Sequence, residues 1–289
     1  MKLPRSSFQY KHKVKDDSAV EDALDTLVQR YPAIGFWQSF HRLRNRGHWW
    51  NHKRVRRVYR NMKLNIRRKP KKRLPERIKQ QLTYATSPNQ MWSIDFMSDS
   101  LQDGRKVRLL NIIEDFNRES LAIEADTSLP TLRVIRVLER LVNERGTPSN
   151  IRMDNGPEFI SHKLEEWCTK RKITLQFIQP GCPTQNAFIE RKNGSIRREL
   201  LNAYVFTSMS EVRESCDQWR IDYNWERPHK ALGYLPPVLF AEKWYRGSKH
   251  AQALYPQMTD ENCSNVFGSH LVDKVFEKPI VELKTLDLN

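Results

Sequence analysis

Asp95 lies in the run Trp92-Ser-Ile-Asp-Phe96, Asp154 in Arg152-Met-Asp-Asn-Gly-Pro-Glu-Phe159, and Glu190 in Glu190-Arg-Lys-Asn-Gly194, with 35 residues between the second acid and the third. Carboxylate oxygens are hard ligands suited to Mg²⁺, with Mn²⁺ as a substitute, and three acids held together repel one another unless cations neutralise them. A pair of such ions can activate a water or a hydroxyl on one side of a phosphate while stabilising the departing oxygen on the other. A single acid among the 34 Asp and Glu of this chain is ordinarily a solvated surface residue. Asp95 differs because it interrupts an apolar run, where a carboxylate needs a partner or a metal.

The elements that must position these acids are legible nearby. Met91 to Met97 is an aromatic and β-branched run that predicts a strand carrying Asp95. Asn150 to Asp154 predicts a second, short strand, ended by a tight turn at Asn155-Gly156. Glu190 follows Pro183 on a helical stretch running to about Asn202. On it Asn186, Glu190, Asn193 and Arg197 recur at helical spacing and share one face, while Ile189 and Ile196 point elsewhere, toward a core. Asn186 and Asn193 are candidates for positioning substrate, and Arg197 either meets a phosphate or makes a structural ion pair.

Between these acids, Val107 to Ile113 and Ser120 to Glu124 read as strands, with Asp103-Gly104 as a hairpin turn before the first. A helix follows with Ile135, Leu138, Leu141 and Val142 inward and Gly146 at its end. Beyond Asp154 come a helix bearing Leu164, Trp167 and Cys168, a strand from Ile173 to Ile178, and a helix from Ser210 to Tyr223 with Val212, Cys216 and Trp219 inward. Three meandering strands followed by alternating helices and strands predict an α/β fold with a ribonuclease-H-like mixed five-stranded sheet and flanking helices. The Gly-rich phosphate turn of a dinucleotide-binding domain is missing.

The formal charge of +16 is concentrated at one end: residues 1 to 85 hold 23 Lys or Arg against 6 Asp or Glu, whereas the remainder holds 27 against 28. Asn51 predicts the cap of a helix with Val55, Val58 and Tyr59 inward and Lys53, Arg54, Arg56, Arg57 and Arg60 outward. Such a surface either attracts a phosphate backbone with steep salt dependence or is simply a solvated cationic face. Trp37, Phe40 and Leu43 have helix-core spacing, and residues 67 to 73 read as an extended linker. The four cysteines form no Cys-x-x-Cys pair. His48 and His52 lack the cysteines of a zinc module and read as surface or DNA-facing groups. No signal-peptide or membrane-span pattern is present, so the expected setting is the cytoplasm, with no membrane partner.

Taken together, the motifs resemble those of the catalytic subunit (OrfB) of bacterial insertion-sequence transposases, whose full enzyme is made by frameshifting across two reading frames, and more distantly retroviral integrase. The resemblance covers about residues 30 to 243. It runs from the basic segment 53 to 59 through Trp92-Ser-Ile-Asp-Phe96, Leu109 to Arg118, Asp154-Asn-Gly-Pro-Glu158 and Asn186-Ala-Phe-Ile-Glu-Arg191 to Tyr223-Asn-Trp-Glu-Arg-Pro-His229 and Ala231-Leu-Gly233. It implies that Asp95, Asp154 and Glu190 are the catalytic, metal-binding acids of a transposase that cleaves element ends and joins them to target DNA. The alternatives are a nuclease using the same acids with water, or a catalytically silent DNA-binding regulator. It also implies double-stranded DNA as partner, a homo-oligomer, and an upstream frame supplying a helix-turn-helix.

Two positions depart from the family pattern. Lys192 stands where relatives commonly carry an aromatic residue, a change expected to alter packing or a DNA contact. The chain after about Trp244 is unlike the short family ending and would fit read-through into flanking sequence. The expected organisation is a basic helical DNA-binding region over residues 1–65, a basic linker over 66–88, a catalytic core over 89–243 and an atypical extension over 244–289. Glu158 is expected at the surface or at a helix start rather than in the site, while Asp115 is open between the two roles.

Overall fold

The computed structural model describes residues 16–66, 85–179 and 183–247; the linker expected at 67–73, the tail beyond Gly247, Cys182 and Cys263 lie outside them. The chain forms two compact units, Met1–Glu76 and Arg77–Asn289.

The first unit is helical, with α1 over Ser18–Arg30, α2 over Phe36–Asn45 and α3 over His52–Asn61. Val20, Leu24 and Leu27 recur at helical spacing on α1 and bury against Phe40 and Leu43 of α2 and Val55, Val58 and Tyr59 of α3. Asn51 caps α3 as its position predicts, its side chain accepting the Lys53 N–H at 2.9 Å. One expectation fails here: Trp37 is 52% exposed. Phe36, one residue earlier, takes the inward place and packs edge-on to Tyr59, with ring centroids 5.5 Å apart.

The second unit is built on a five-stranded sheet of order β3-β2-β1-β4-β5, with β1 over Met91–Ser100, β2 over Lys106–Glu114, β3 over Ser120–Asp126, β4 over Asn150–Met153 and β5 over Thr174–Phe177. The first three strands pair antiparallel, whereas β1–β4 and β4–β5 are parallel, giving the mixed ribonuclease-H-like sheet that the sequence predicts. Gly104, at φ +85°, supplies the left-handed residue in the β1–β2 connection.

Alternation of side chains across the strands divides the core in two. On one face Trp92, Ile94, Leu110, Ile112, Ile151 and Met153 pack against α4 (Thr131–Arg145) and α5 (His162–Lys170). On the other, Met97, Val107, Leu109, Ile123 and Ala125 meet Ile196 of α6 (Ala187–Ile196), Leu200 and Leu201 of the wider π turn that follows, and Val212 and Cys216 of α7 (Met209–Trp225). On α4 the buried residues are Val134, Val137, Leu138 and Leu141, with Ile135 and Val142 only partly covered, so the inward face is rotated slightly from the expected one. The last helix among the described residues, α8 (Pro237–Gly247), crosses position 243, and its Trp244 packs against Phe116 with centroids 5.2 Å apart.

Candidate active site

β1 and β4 are parallel neighbours in which Ser93 pairs with Arg152. Asp95 lies two residues beyond Ser93, and Asp154 two residues beyond Arg152, so both acids emerge from adjacent strands on the face covered by α6. Asp154 sits one residue past the end of β4. The expected tight turn at Asn155-Gly156 comes slightly later: the backbone turns over 157–159, with Phe159 N–H donating to Gly156 O at 2.9 Å, and neither Asn155 nor Gly156 has a positive φ. Glycine matters at 156 for another reason. Its N–H donates to Asp154 Oδ1 at 3.1 Å, and a Cβ there would sit 3.0 Å from the same oxygen.

Glu190 is an exposed residue on the first turn of α6. Asn193, three residues on, donates from Nδ2 to Asp95 Oδ2 at 2.7 Å, and the Phe96 N–H donates to Oδ1 at 2.9 Å. Asn186 is buried and donates to Ile94 O at 3.4 Å. Burial pushes the Asp95 carboxyl up to about 6, against the Phe96 N–H; the charge of Asp154 adds to the rise, the Asn193 amide opposes it, and the Glu190 charge adds a little more. Desolvation also raises Glu190 above its ordinary value.

No group of three His, Cys, Asp or Glu side chains lies close enough to hold a metal ion among the described residues. The chemistry of Asp95 would suit a hard cation, because it offers carboxylate oxygens in a half-buried setting where the charge of Asp154 adds to the rise that burial causes.

The remaining predicted contacts divide. Arg197 donates to Asp99 Oδ2 at 3.0 Å and to Ser98 O at 2.7 Å, which is its ion-pair alternative. On α3, Arg54 and Arg57 both pair with Asp17, at 2.8 and 2.7 Å, whereas Lys53, Arg56 and Arg60 are exposed along one side of the helix. Glu158 pairs with Arg108. His48 stacks on Trp50 at 4.4 Å, and His52 lies exposed against Trp37. Cys168 and Cys216 are buried, with thiols pushed up by desolvation to about 11 and about 12, far from the reactive thiolate range.

Several further residues hold this region together, among them Lys192 and Asp115, which the sequence left open between two roles, and Arg227 and Asn224, whose roles it missed. Lys192 is buried, and its Nζ donates to Ile112 O at 3.0 Å and Ala122 O at 3.2 Å, so its departure from the family pattern is a matter of packing. Asp115 accepts from Arg152 and Ser93, and Arg227 grips Glu199 and Ser195 behind the Glu190 helix. Asn224 reads the backbone of Ser120 on the edge strand, accepting its N–H at 2.8 Å and donating to its O at 3.0 Å. The available signals were polar residues two places before each sheet-borne acid, and Asn224 and Arg227 within the Tyr223 to His229 motif.

Two family models described as integrase core domain match residues 85–183 and 171–237. The chain is 38% identical over 257 residues to an insertion element IS407 uncharacterized 31.7 kDa protein of Burkholderia multivorans, covering 89% of this chain and 92% of that one. It belongs to the integrase-core proteins of bacterial insertion elements. Within that group it is also 22% identical, across 84% of its own length and 91% of the other, to the putative transposase InsK for insertion sequence element IS150 of Escherichia coli. A simian T-cell lymphotropic virus intasome, solved by cryo-EM in complex with PP2A regulatory subunit B56 gamma, shares the fold, with a TM-score of 0.50 at 17% identity over 75% of this chain and 74% of that chain. The chain is accordingly an enzyme of the DNA transposase and integrase type, with polynucleotidyl-transferase activity. No described helix is long and apolar enough to cross a membrane.

Proposed function

We propose that this transposase cleaves the ends of its insertion element and joins the exposed 3′-hydroxyls to target DNA, with Asp95, Asp154 and Glu190 as the catalytic acids. The observation that carries the reading is the placement of Asp95 and Asp154 two residues beyond a direct β1–β4 register pair, with the charges of Asp154 and Glu190 both felt at Asp95. Mg²⁺, with Mn²⁺ as a substitute, is the proposed cofactor, held by those three acids; when bound, it activates the attacking oxygen and neutralises charge at the phosphate. The protein's own part is orientation. Asn193 and the Phe96 N–H hold the two oxygens of Asp95, Gly156 holds Asp154, and the half-buried setting of Asp95 sharpens its demand for positive charge.

The DNA partner is double-stranded, comprising element ends and target. The exposed Lys53, Arg56 and Arg60 of α3 supply phosphate contacts, with Arg54 and Arg57 reinforcing the field from their Asp17 pairs. Asn186, Asn193 and Arg197 stay assigned to the substrate side of α6, acting through the groups they hold. We further propose a division of labour between residues 1–65, a linker at 66–88 and a catalytic core from 89; α8 crosses the expected boundary at 243, so the core runs at least to Gly247. The enzyme works as a homo-oligomer on chromosomal DNA in the cytoplasm, with a helix-turn-helix from an upstream, frameshift-fused frame recognising the terminal repeats.

The test is an assay with labelled element ends and Mg²⁺, in which joined products support the proposal. Cleavage without joining would make the protein a nuclease, and salt-sensitive binding with neither reaction a regulator.

A further inference from the structure

Two residues before each of these acids, on the same face of its strand, stands a polar side chain: Ser93 before Asp95 and Arg152 before Asp154. The two are direct partners in the parallel β1–β4 ladder. Both reach a third group, Asp115, which follows β2. Ser93 Oγ donates to Asp115 Oδ1 at 2.7 Å, and Arg152 Nη1 donates to Asp115 Oδ2 at 2.9 Å, so each oxygen of one carboxylate grips one of the two acid-bearing strands. The Asp115 N–H in turn donates to Met91 O at 2.9 Å, fixing the backbone of Asp115 to the start of β1. The Asp115 side chain is fully buried and that of Arg152 is 6% exposed, so water does not compete for either contact.

The ladder itself is short. Its partners run from Met91 with Asn150 to Ser93 with Arg152 and stop before the acids. The last cross-link between the two strands before Asp95 and Asp154 is therefore the one through Asp115, roughly 6.5 Å along the chain from each acid at the rise of a strand.

We propose that Ser93, Asp115 and Arg152 form a positioning clamp that sets the separation of Asp95 and Asp154, and with it the geometry offered to the scissile phosphate and its cations. The inference rests on the assignment of those two acids as catalytic. It gives the buried ion pair a role that burial alone does not, since an ion pair retained only for stability can be replaced by well-packed apolar groups without loss of function. A clamp cannot be replaced in that way, because the direction of its hydrogen bonds sets where each strand ends.

The test uses the full chain fused to its upstream frame, with Ser93→Ala, Asp115→Asn, Arg152→Met and Arg152→Lys. For each variant it reads the thermal transition, Mn²⁺ binding by calorimetry without DNA, and the joining rate. Ser93→Ala removes a single hydroxyl and carries the test should the charge variants fail to fold. The expected result is a retained cooperative transition with Mn²⁺ affinity and joining each reduced roughly 10-fold or more, in the range for groups that orient metal ligands. Arg152→Lys should recover part of what Arg152→Met loses. Unchanged Mn²⁺ affinity and joining in folded Ser93→Ala and Arg152→Met would overturn the clamp, as would losses that merely track the unfolded fraction. Asp95→Asn and Asp154→Asn run beside them separate the two ideas: normal joining by these variants refutes the acid assignment, whereas their failure beside fully active clamp variants refutes the clamp alone.

Discussion

Asp95 and Lys192 show how burial on one face of the sheet shapes what a single residue does. With its carboxyl pushed up to about 6, Asp95 holds a proton at mildly acidic pH and loses the charge a cation would bind. Joining should therefore fall as pH drops through about 6, and raising Mg²⁺ should move the fall to lower pH because cation and proton compete. A pH profile at two Mg²⁺ concentrations checks this, and coincident curves would count against it. For Lys192, burial holds the amine well below its ordinary 10.5, so between its folded value and 10.5 the unfolded chain binds more protons and stability rises with pH across that window. Lys192→Met has no such group. The melting temperature of the variant relative to the parent should be highest at pH 7 and decline toward pH 9.5, whereas parallel curves would show that the amine does not titrate differently on folding.

At the scale of elements, α3 carries the clearest separation of roles. Lys53→Ala, Arg56→Ala and Arg60→Ala should weaken duplex binding across all sequences and shallow its log-log salt slope by about one per lost phosphate contact. Arg54→Ala and Arg57→Ala should act more on the melting of the helical unit, because their partner is Asp17. Salt-titrated binding isotherms discriminate, and equal effects from all five would remove the distinction. The helix itself was legible in the sequence, down to its Asn51 cap, because capping and apolar period are local signals. So were the five strands of the mixed sheet. What stayed hidden depended on distant partners. Arg54 and Arg57 look identical to Arg56 until Asp17, far earlier in the chain, arrives beside them. Lys192 is open between packing and a DNA contact until the carbonyls of Ile112 and Ala122, on two strands distant in sequence, come within reach of its Nζ. Gly156 suggested a tight turn with Asn155, but its smallness serves the close approach of Asp154.

For the molecule as a whole, if residues 1–85 supply the non-specific DNA attraction proposed from their charge excess, removing them should weaken duplex binding and flatten its salt dependence while the remainder keeps a cooperative transition. An unchanged binding constant and slope would contradict that division. Truncation after Gly247 keeps α8, with Trp244 against Phe116, and should leave the thermal transition nearly unchanged; its collapse would show that the chain beyond α8 completes the core. Everything proposed for the molecule depends on Asp95, Asp154 and Glu190 acting as one catalytic set in DNA joining. The most direct test is strand transfer of labelled element ends in Mg²⁺ by the full chain, alone and fused to the proposed upstream frame, beside Asp95→Asn, Asp154→Asn and Glu190→Gln. Joined products from the parent and none from any of the three, with DNA binding and melting preserved, is the predicted result; near-normal joining by any one folded variant would contradict it.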